Sequence, residues 1–154
     1  MTHHEFICGD AQQAMQTLPS ESVHCIVTSP PYWGLRDYGV AGQLGSEDTP
    51  EEYIRELVQV SREMRRVLRN DGTLWLNLGD SYASGGMSNP SSKSTLGGGK
   101  DLGAADYSIT RKVPNGLKPK DLVGIPWRVA FALQADGWYL RSDIIWCLSG
   151  GTKV

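Results

Sequence analysis

Short apolar runs alternate with amphipathic stretches along this chain, and each run stops at a polar or glycine-bearing corner. Glu5-Phe6-Ile7-Cys8 predicts a strand that ends at Gly9-Asp10. Ala14, Met15 and Leu18 recur at helical spacing within Ala11 to Leu18, and Pro19-Ser20 closes that helix. Val23 to Thr28 is β-branched and mostly apolar, as a strand buried on both faces would be, and it runs into Ser29-Pro30-Pro31-Tyr32. Thr49-Pro50-Glu51-Glu52 reads as a capping box with proline at the first helical position. Ile54, Leu57, Val58, Met64, Val67 and Leu68 then form one face of a long helix. Arg65, Arg66 and Arg69 suit its negative end, and Asn70-Asp71-Gly72 turns the chain. A further strand is predicted from Thr73 to Leu78, a helix opening at Pro126 and closed by Gly137, and a last strand from Trp138 to Trp146.

Strands alternating with helices imply an α/β fold, a mainly parallel sheet with helices on both faces. Ligands of such sheets bind outside the carboxyl ends of the strands. Gly9-Asp10, Ser29-Pro30-Pro31-Tyr32 and Gly79-Asp80 each follow a predicted strand, which puts three polar corners on one rim. The stretch from 83 to 116 breaks the pattern: it is rich in Gly and Ser, includes Gly97-Gly98-Gly99, and has no periodicity. A connection of that length is functional, disordered, or both.

Composition narrows the class. At 154 residues and 40% hydrophobic content the chain matches one globular domain. No apolar run approaches the roughly 20 residues of a membrane span, and the start lacks a secretory pattern, so the expectation is a cytoplasmic protein without membrane attachment. Cys8, Cys25 and Cys147 are too widely spaced for a disulfide framework or a zinc site, and no metal is expected. The net charge of −2 is unlike a nucleic-acid binder. Distribution changes that picture: Lys93, Lys100, Arg111, Lys112, Lys118 and Lys120 face only Asp101 and Asp106 in the intervening stretch. That segment is either a phosphate-facing surface or a solvated loop.

Thr28-Ser29-Pro30-Pro31-Tyr32-Trp33 carries the chemistry. Consecutive prolines fix φ and remove two N–H donors, so the neighbouring carbonyls are held stiffly. A hydroxyl precedes them and two aromatic rings follow. Acceptors in the plane of an amine-bearing ring, with a π-face beside them, are what gripping an extruded nucleobase requires.

At these residues the sequence resembles the DNA amino-methyltransferases, whose signature is [DNS]-P-P-[YFW]. The likeness extends over nearly all of residues 5 to 146 apart from the glycine-rich loop. It runs through Gly9-Asp10, Ser29-Pro30-Pro31-Tyr32-Trp33, Arg69-Asn70-Asp71-Gly72-Thr73-Leu74-Trp75, Asn77-Leu78-Gly79-Asp80-Ser81-Tyr82, Lys118-Pro119-Lys120-Asp121-Leu122 and Ile125-Pro126-Trp127. That order is similar to the permuted, or β, subgroup, in which the catalytic motif precedes the cofactor motif. The resemblance implies a Rossmann-like methyltransferase fold, DNA as substrate and S-adenosylmethionine as cofactor. Ser29 and the Pro30 carbonyl would accept hydrogen bonds from the exocyclic amine, Pro31 would stiffen the corner, and Tyr32 would stack on the base. Serine in the first position leans towards cytosine N4 over adenine N6. Asp10 would hold an adenosyl amine or ribose hydroxyl, or is a plain turn residue; Asp80 has the same two readings, with the turn residue favoured. No Pro-Cys pair is present, which disfavours cytosine C5 methylation through a thiolate.

The same family carries a glycine-rich cofactor motif, roughly F-x-G-x-G-T, on a downstream strand, and this chain contains none. Residues 1–146 therefore read as the amino-terminal part of a methylase domain, with the Gly/Ser loop at 83–116, an incomplete fold whose partner would be a carboxyl-terminal half of the same enzyme. Cys147-Leu148-Ser149-Gly150-Gly151-Thr152 resembles the opening block of an intein, except that Gly151 stands where an acidic residue is usual. Residues 147–154 are accordingly an intein start or a truncated tail. Two other classes stay open at this stage: an inactive DNA-binding remnant or split-intein precursor, and a methyltransferase acting on protein glutamine or RNA.

Overall fold

The computed structural model describes residues 3–36, 38–83 and 113–146. Residues 84–112 of the glycine-rich loop, Cys147 and the tail lie outside them, as do four of the six cations of the basic segment. Among the described residues the elements in order are α1 (Ala11–Gln16), β1 (Val23–Thr28), α2 (Pro50–Val67), β2 (Leu68–Leu76) and α3 (Ile125–Ala135). β1 and β2 pair in parallel, with α2 as the crossover between them, giving the α/β unit that the alternating pattern predicts.

The capping box forms as expected. Thr49 Oγ1 accepts from Glu52 N at 3.2 Å, and Glu52 Oε2 accepts from Thr49 N at 3.2 Å. The buried stripe of α2 is Tyr53, Leu57, Ser61, Met64 and Val67. Ile54 and Val58, read as central from their hydrophobicity, are only partly buried at its flank. Ser61 enters the stripe because its hydroxyl donates back to the Leu57 carbonyl at 2.8 Å. Trp33, Tyr53, Leu57, Ile125 and Val129 form the centre of the core, so α2 and α3 close over one face of the sheet.

The arginines at the end of α2 do more than offset its own dipole. Arg66 donates to the carbonyls of Met15 at 2.8 Å and Leu18 at 3.1 Å, closing the open end of α1. Arg65 donates to the Asp136 carbonyl at 3.0 Å, at the end of α3, while Arg62 reaches the Asp136 carboxylate at 2.6 and 2.9 Å. One row of cations thus terminates two neighbouring helices.

Asn70-Asp71-Gly72 is not a turn ahead of β2 but an irregularity within it. The partner of Val23 is Leu68 and that of Cys25 is Thr73, so the register shift takes up residues 69–72. Two predicted strands carry no ladder. Phe6 is 96% exposed in the first, and Tyr139, Ile144, Ile145 and Trp146 are exposed in the second. An apolar β-branched run becomes a strand only when a neighbour accepts its backbone hydrogen bonds, and neither run has one among the described residues. Trp138 packs against the core, whereas Trp127 and Trp146 are exposed.

Register fixes which sheet positions are covered. Ile26, Thr28, Leu74 and Leu76 turn towards the helices, and Cys25, Val27, Thr73 and Trp75 point the other way into solvent. Among the described residues the helices gather around α2, on one side only.

The Arg62–Asp136 pair makes a pH prediction. The hydrogen bond and charge of Arg62 hold the Asp136 carboxyl below its usual range. A carboxyl lowered on folding adds stability above its unfolded pKa, about 3.9, and loses it as pH falls through the lower folded value. Asp136→Asn is expected to flatten the acid limb of stability below about pH 4, read as the urea midpoint against pH. An unchanged acid limb would show that the pair contributes nothing to the folded state.

Candidate active site

The site begins where β1 stops being able to continue. Thr28 is the last ladder residue, and the Asn77 N–H still reaches its carbonyl at 2.9 Å, one residue beyond the end of β2. That bond draws Asn77 alongside Ser29 at the carboxyl rim. Pro30 and Pro31 then break the ladder, as two residues without N–H donors must. Pro30 is buried and Pro31 half-buried, so the corner is seated against the domain rather than hanging from it.

A single side chain from α2 seats it. The Tyr53 hydroxyl donates to the Pro31 carbonyl at 3.0 Å, and Tyr53 itself is fully buried. Burial pushes its phenol well above the ordinary tyrosine range, and the charges of Glu47 and Tyr32 add to the shift. The group therefore stays a protonated donor. The Pro31 carbonyl is thus taken, whereas the Pro30 carbonyl accepts no hydrogen bond from the described residues.

Ser29, Tyr32 and Asn77 form a cluster at this corner. Ser29 Oγ and Tyr32 Oη lie 3.0 Å apart. Asn77 Nδ2 donates to Tyr32 Oη at 3.0 Å and approaches Ser29 Oγ at 3.5 Å. Because the amide NH2 only donates, the tyrosine oxygen accepts from it, which leaves a hydroxyl proton to be shared with Ser29. Ser29 is exposed and Tyr32 half-buried, so both are accessible. The Tyr32 ring lies directly on the backbone of Gly79: a Cβ there would sit 2.7 Å from Tyr32 Cδ2. Gly79 is thus needed for close approach of the ring, a role beyond the turn read from the sequence.

The four predicted motif residues are therefore brought together. Ser29, Pro30, Pro31 and Tyr32 line a cleft of about 240 Å³ together with Leu35, Arg36 and Tyr38. A larger depression, about 320 Å³, lies among Glu21, Arg69, Asn70 and Asp71. Its polar groups satisfy one another, Asn70 with Glu21 at 2.8 Å and Arg69 with Asp71 at 3.0 Å, so size is a poor guide to chemistry here.

Other residues fall elsewhere. Asp10 is the N-cap of α1, accepting from Gln13 N through Oδ1 at 3.0 Å, and shares no hydrogen bond with the Ser29 cluster. Trp33 is a core residue whose indole donates to the Glu47 carbonyl at 3.0 Å. Asp80 anchors the rim: its carboxylate accepts from Gly124 N at 3.0 Å and Ile125 N at 2.9 Å, capping α3 where Gly124 has no side chain to do so. Sequence reasoning misses Asn77 and Tyr53. Asn77 stands just past an apolar strand, the position Ser29 holds after β1, and Tyr53 precedes Leu57 by one helical turn.

Two substitutions test how the corner is held. Tyr53→Phe leaves the Pro31 carbonyl without its donor and is expected to cost about 1–2 kcal/mol in urea unfolding. Gly79→Ala is expected to cost about 1–3 kcal/mol by pressing on the Tyr32 ring. Adding Tyr32→Ala to it should recover part of that loss; strict additivity of the two changes would rule the contact out.

Comparisons with known proteins show similarity along most of the chain. A family model for N6/N4 DNA methylases matches residues 23–152. The Type II methyltransferase M.SmaI of Serratia marcescens is 57% identical over 142 residues, 92% of this chain and 47% of that protein. The Type II methyltransferase M.Cfr9I of Citrobacter freundii is 54% identical over 140 residues, 90% of this chain and 44% of that protein. A putative DNA modification methylase of Thermus thermophilus, solved with S-adenosyl-L-methionine, aligns with TM-score 0.49 and 25% identity over 84% of this chain and 39% of its own. The chain spans about half the length of the two Type II relatives. With the family model covering most of its residues, this protein belongs to the N6/N4 DNA methylase family.

Proposed function

We propose that this chain is the base-gripping portion of an S-adenosylmethionine-dependent DNA methyltransferase that modifies an exocyclic amino group, cytosine N4 in preference to adenine N6. The observation that carries the reading is the pair of acceptors at the corner. The exposed Ser29 hydroxyl and the Pro30 carbonyl, which accepts no hydrogen bond from the described residues, stand with the half-buried Tyr32 at a strand rim. The resemblance to these relatives, both Type II methyltransferases, supports DNA as substrate and a place beside a restriction enzyme.

An exocyclic amine in a free base has its lone pair delocalised into the ring, and it is a poor nucleophile. Ser29 Oγ and Pro30 O, each accepting one amine proton, favour a pyramidal nitrogen whose lone pair projects out of the ring plane. Tyr32 stacks on the extruded base, a contact worth about 1–3 kcal/mol in comparable cases. The corner is held beforehand by Tyr53 and Asn77, so little reorganisation is needed when the base arrives.

When bound, S-adenosylmethionine supplies an electrophilic methyl group on sulfur. Of the residues present, Asp10 fits one part of such a group. Its Oδ1 is used in capping α1, and Oδ2 accepts nothing from the described residues, leaving it available to a ribose hydroxyl or an adenosyl amine. One carboxylate oxygen is not a binding site, and the remainder would come from a carboxyl-terminal half, in keeping with the greater length of the relatives.

The test is transfer of labelled methyl from S-adenosylmethionine to duplex DNA by the chain supplied with that half. Transfer is expected, with Ser29→Ala lowering kcat on the order of 100-fold, and nucleoside mass analysis should find N4-methylcytosine. Failure of a folded, complete complex to label DNA would overturn the proposal, and N6-methyladenine would overturn its choice of base.

A further inference from the structure

Three further residues line the cleft, and the way their segment is held points to a ligand group that the base-gripping corner does not address. The loop leaving the corner is closed at its base by Gly34 N donating to the Gly45 carbonyl at 2.8 Å. Gly45, at φ +94°, sits so close to the corner that a Cβ would lie 2.9 Å from the Tyr32 carbonyl. Within the loop one side chain fixes the strip that lines the cleft. Gln43 Nε2 donates to the Arg36 carbonyl at 2.9 Å, and Gln43 Oε1 accepts from Tyr38 N at 2.6 Å. Leu35 and Tyr38 are each more than half exposed on that strip.

Arg36 is exposed there, and its guanidinium makes no ion pair or hydrogen bond with the described residues. That is unusual in this protein. Arg55, Arg62, Arg66, Arg69 and Arg128 each pair with a carboxylate, and Arg65 donates to a carbonyl. Arg141 is the other described arginine without such a bond, and it does not line the cleft. A planar five-donor fork and an exposed tyrosine that line the same cleft suit a phosphodiester oxygen and its neighbouring base.

We propose that Leu35, Arg36 and Tyr38 form a nucleotide shelf, in which Arg36 pairs with a phosphodiester flanking the extruded base and Tyr38 stacks on the adjacent one. Gln43 is the positioning residue that holds the strip to the corner. This rests on the reading of the corner as a base site and adds the class of contact made outside it. The chain is acidic overall, so phosphate recognition depends on where cations are left unpaired.

Binding of the chain to a fluorescent single-stranded DNA oligonucleotide, followed by anisotropy over a range of salt concentrations, tests the shelf. Single strands avoid the cost of extruding a base. Arg36→Gln is expected to weaken binding about fivefold at low salt and to reduce the slope of log affinity against log salt by about 0.7, the loss of one phosphate contact. Tyr38→Ala is expected to weaken binding about tenfold with the slope unchanged. Gln43→Ala should lower the slope as Arg36→Gln does, and combining the two should lower it no further, which a merely structural role would not produce. Arg141→Gln serves as the cation control, with its slope unchanged. An Arg36→Gln slope equal to that of the unaltered chain, an equal drop for Arg141→Gln, or no DNA binding by the unaltered chain at low salt would overturn the shelf. Methyl transfer by the completed enzyme is scored separately, so the shelf and the base site fail independently.

Discussion

The hydrogen bond from the Tyr53 hydroxyl to the Pro31 carbonyl is the constraint on which the site depends. A diproline corner is stiff in itself, but stiffness does not choose a direction. The bond from a fully buried side chain on α2 chooses it, and it occupies one of the two proline carbonyls so that the other is left for a ligand. Asn77 completes the arrangement from the β2 side by holding the Tyr32 hydroxyl, while Gly79 lets the ring come close. Corner, helix and both strands are thus joined within one turn of backbone.

The packing around α2 follows a similar economy. Its capping box fixes where the helix starts, and its last turns carry arginines whose donors satisfy the carbonyl ends of α1 and α3. Cations near a helix C-terminus are ordinarily explained by that helix's own dipole. Here the more specific partners belong to neighbouring helices, which ties α1 and α3 to α2. Asp80 does the complementary task at the other pole, supplying acceptors to the start of α3 from the loop after β2.

One side of the sheet stands apart from this. Val27 is 78% exposed and Trp75 52% exposed on the face turned away from α2. Parallel sheets are nearly always covered on both faces, and strands this apolar are built for it. Among the described residues no helix covers that face, which sets this two-stranded unit apart from a fully covered parallel sheet.

Local chemistry by itself determined the helix limits at the capping box, the strand from Val23 to Thr28, the break at the prolines and the motif that marks the site, because each depends on neighbours a few residues away. The apolar runs at Glu5 to Cys8 and Trp138 to Trp146 show where that reasoning stops. Their pattern fits a strand, but a ladder needs a partner from elsewhere, and none is supplied among the described residues. In the same way, nothing near Tyr53 in the chain reveals that it will meet Pro31, or that Asn77 will arrive beside Tyr32, since those contacts span 22 and 45 residues. Only the folding of α2 and β2 against β1 decides them. A pattern of residues fixes which groups are stiff, apolar or reactive; which of them meet is settled when separate segments pack and their buried polar groups must each find a partner.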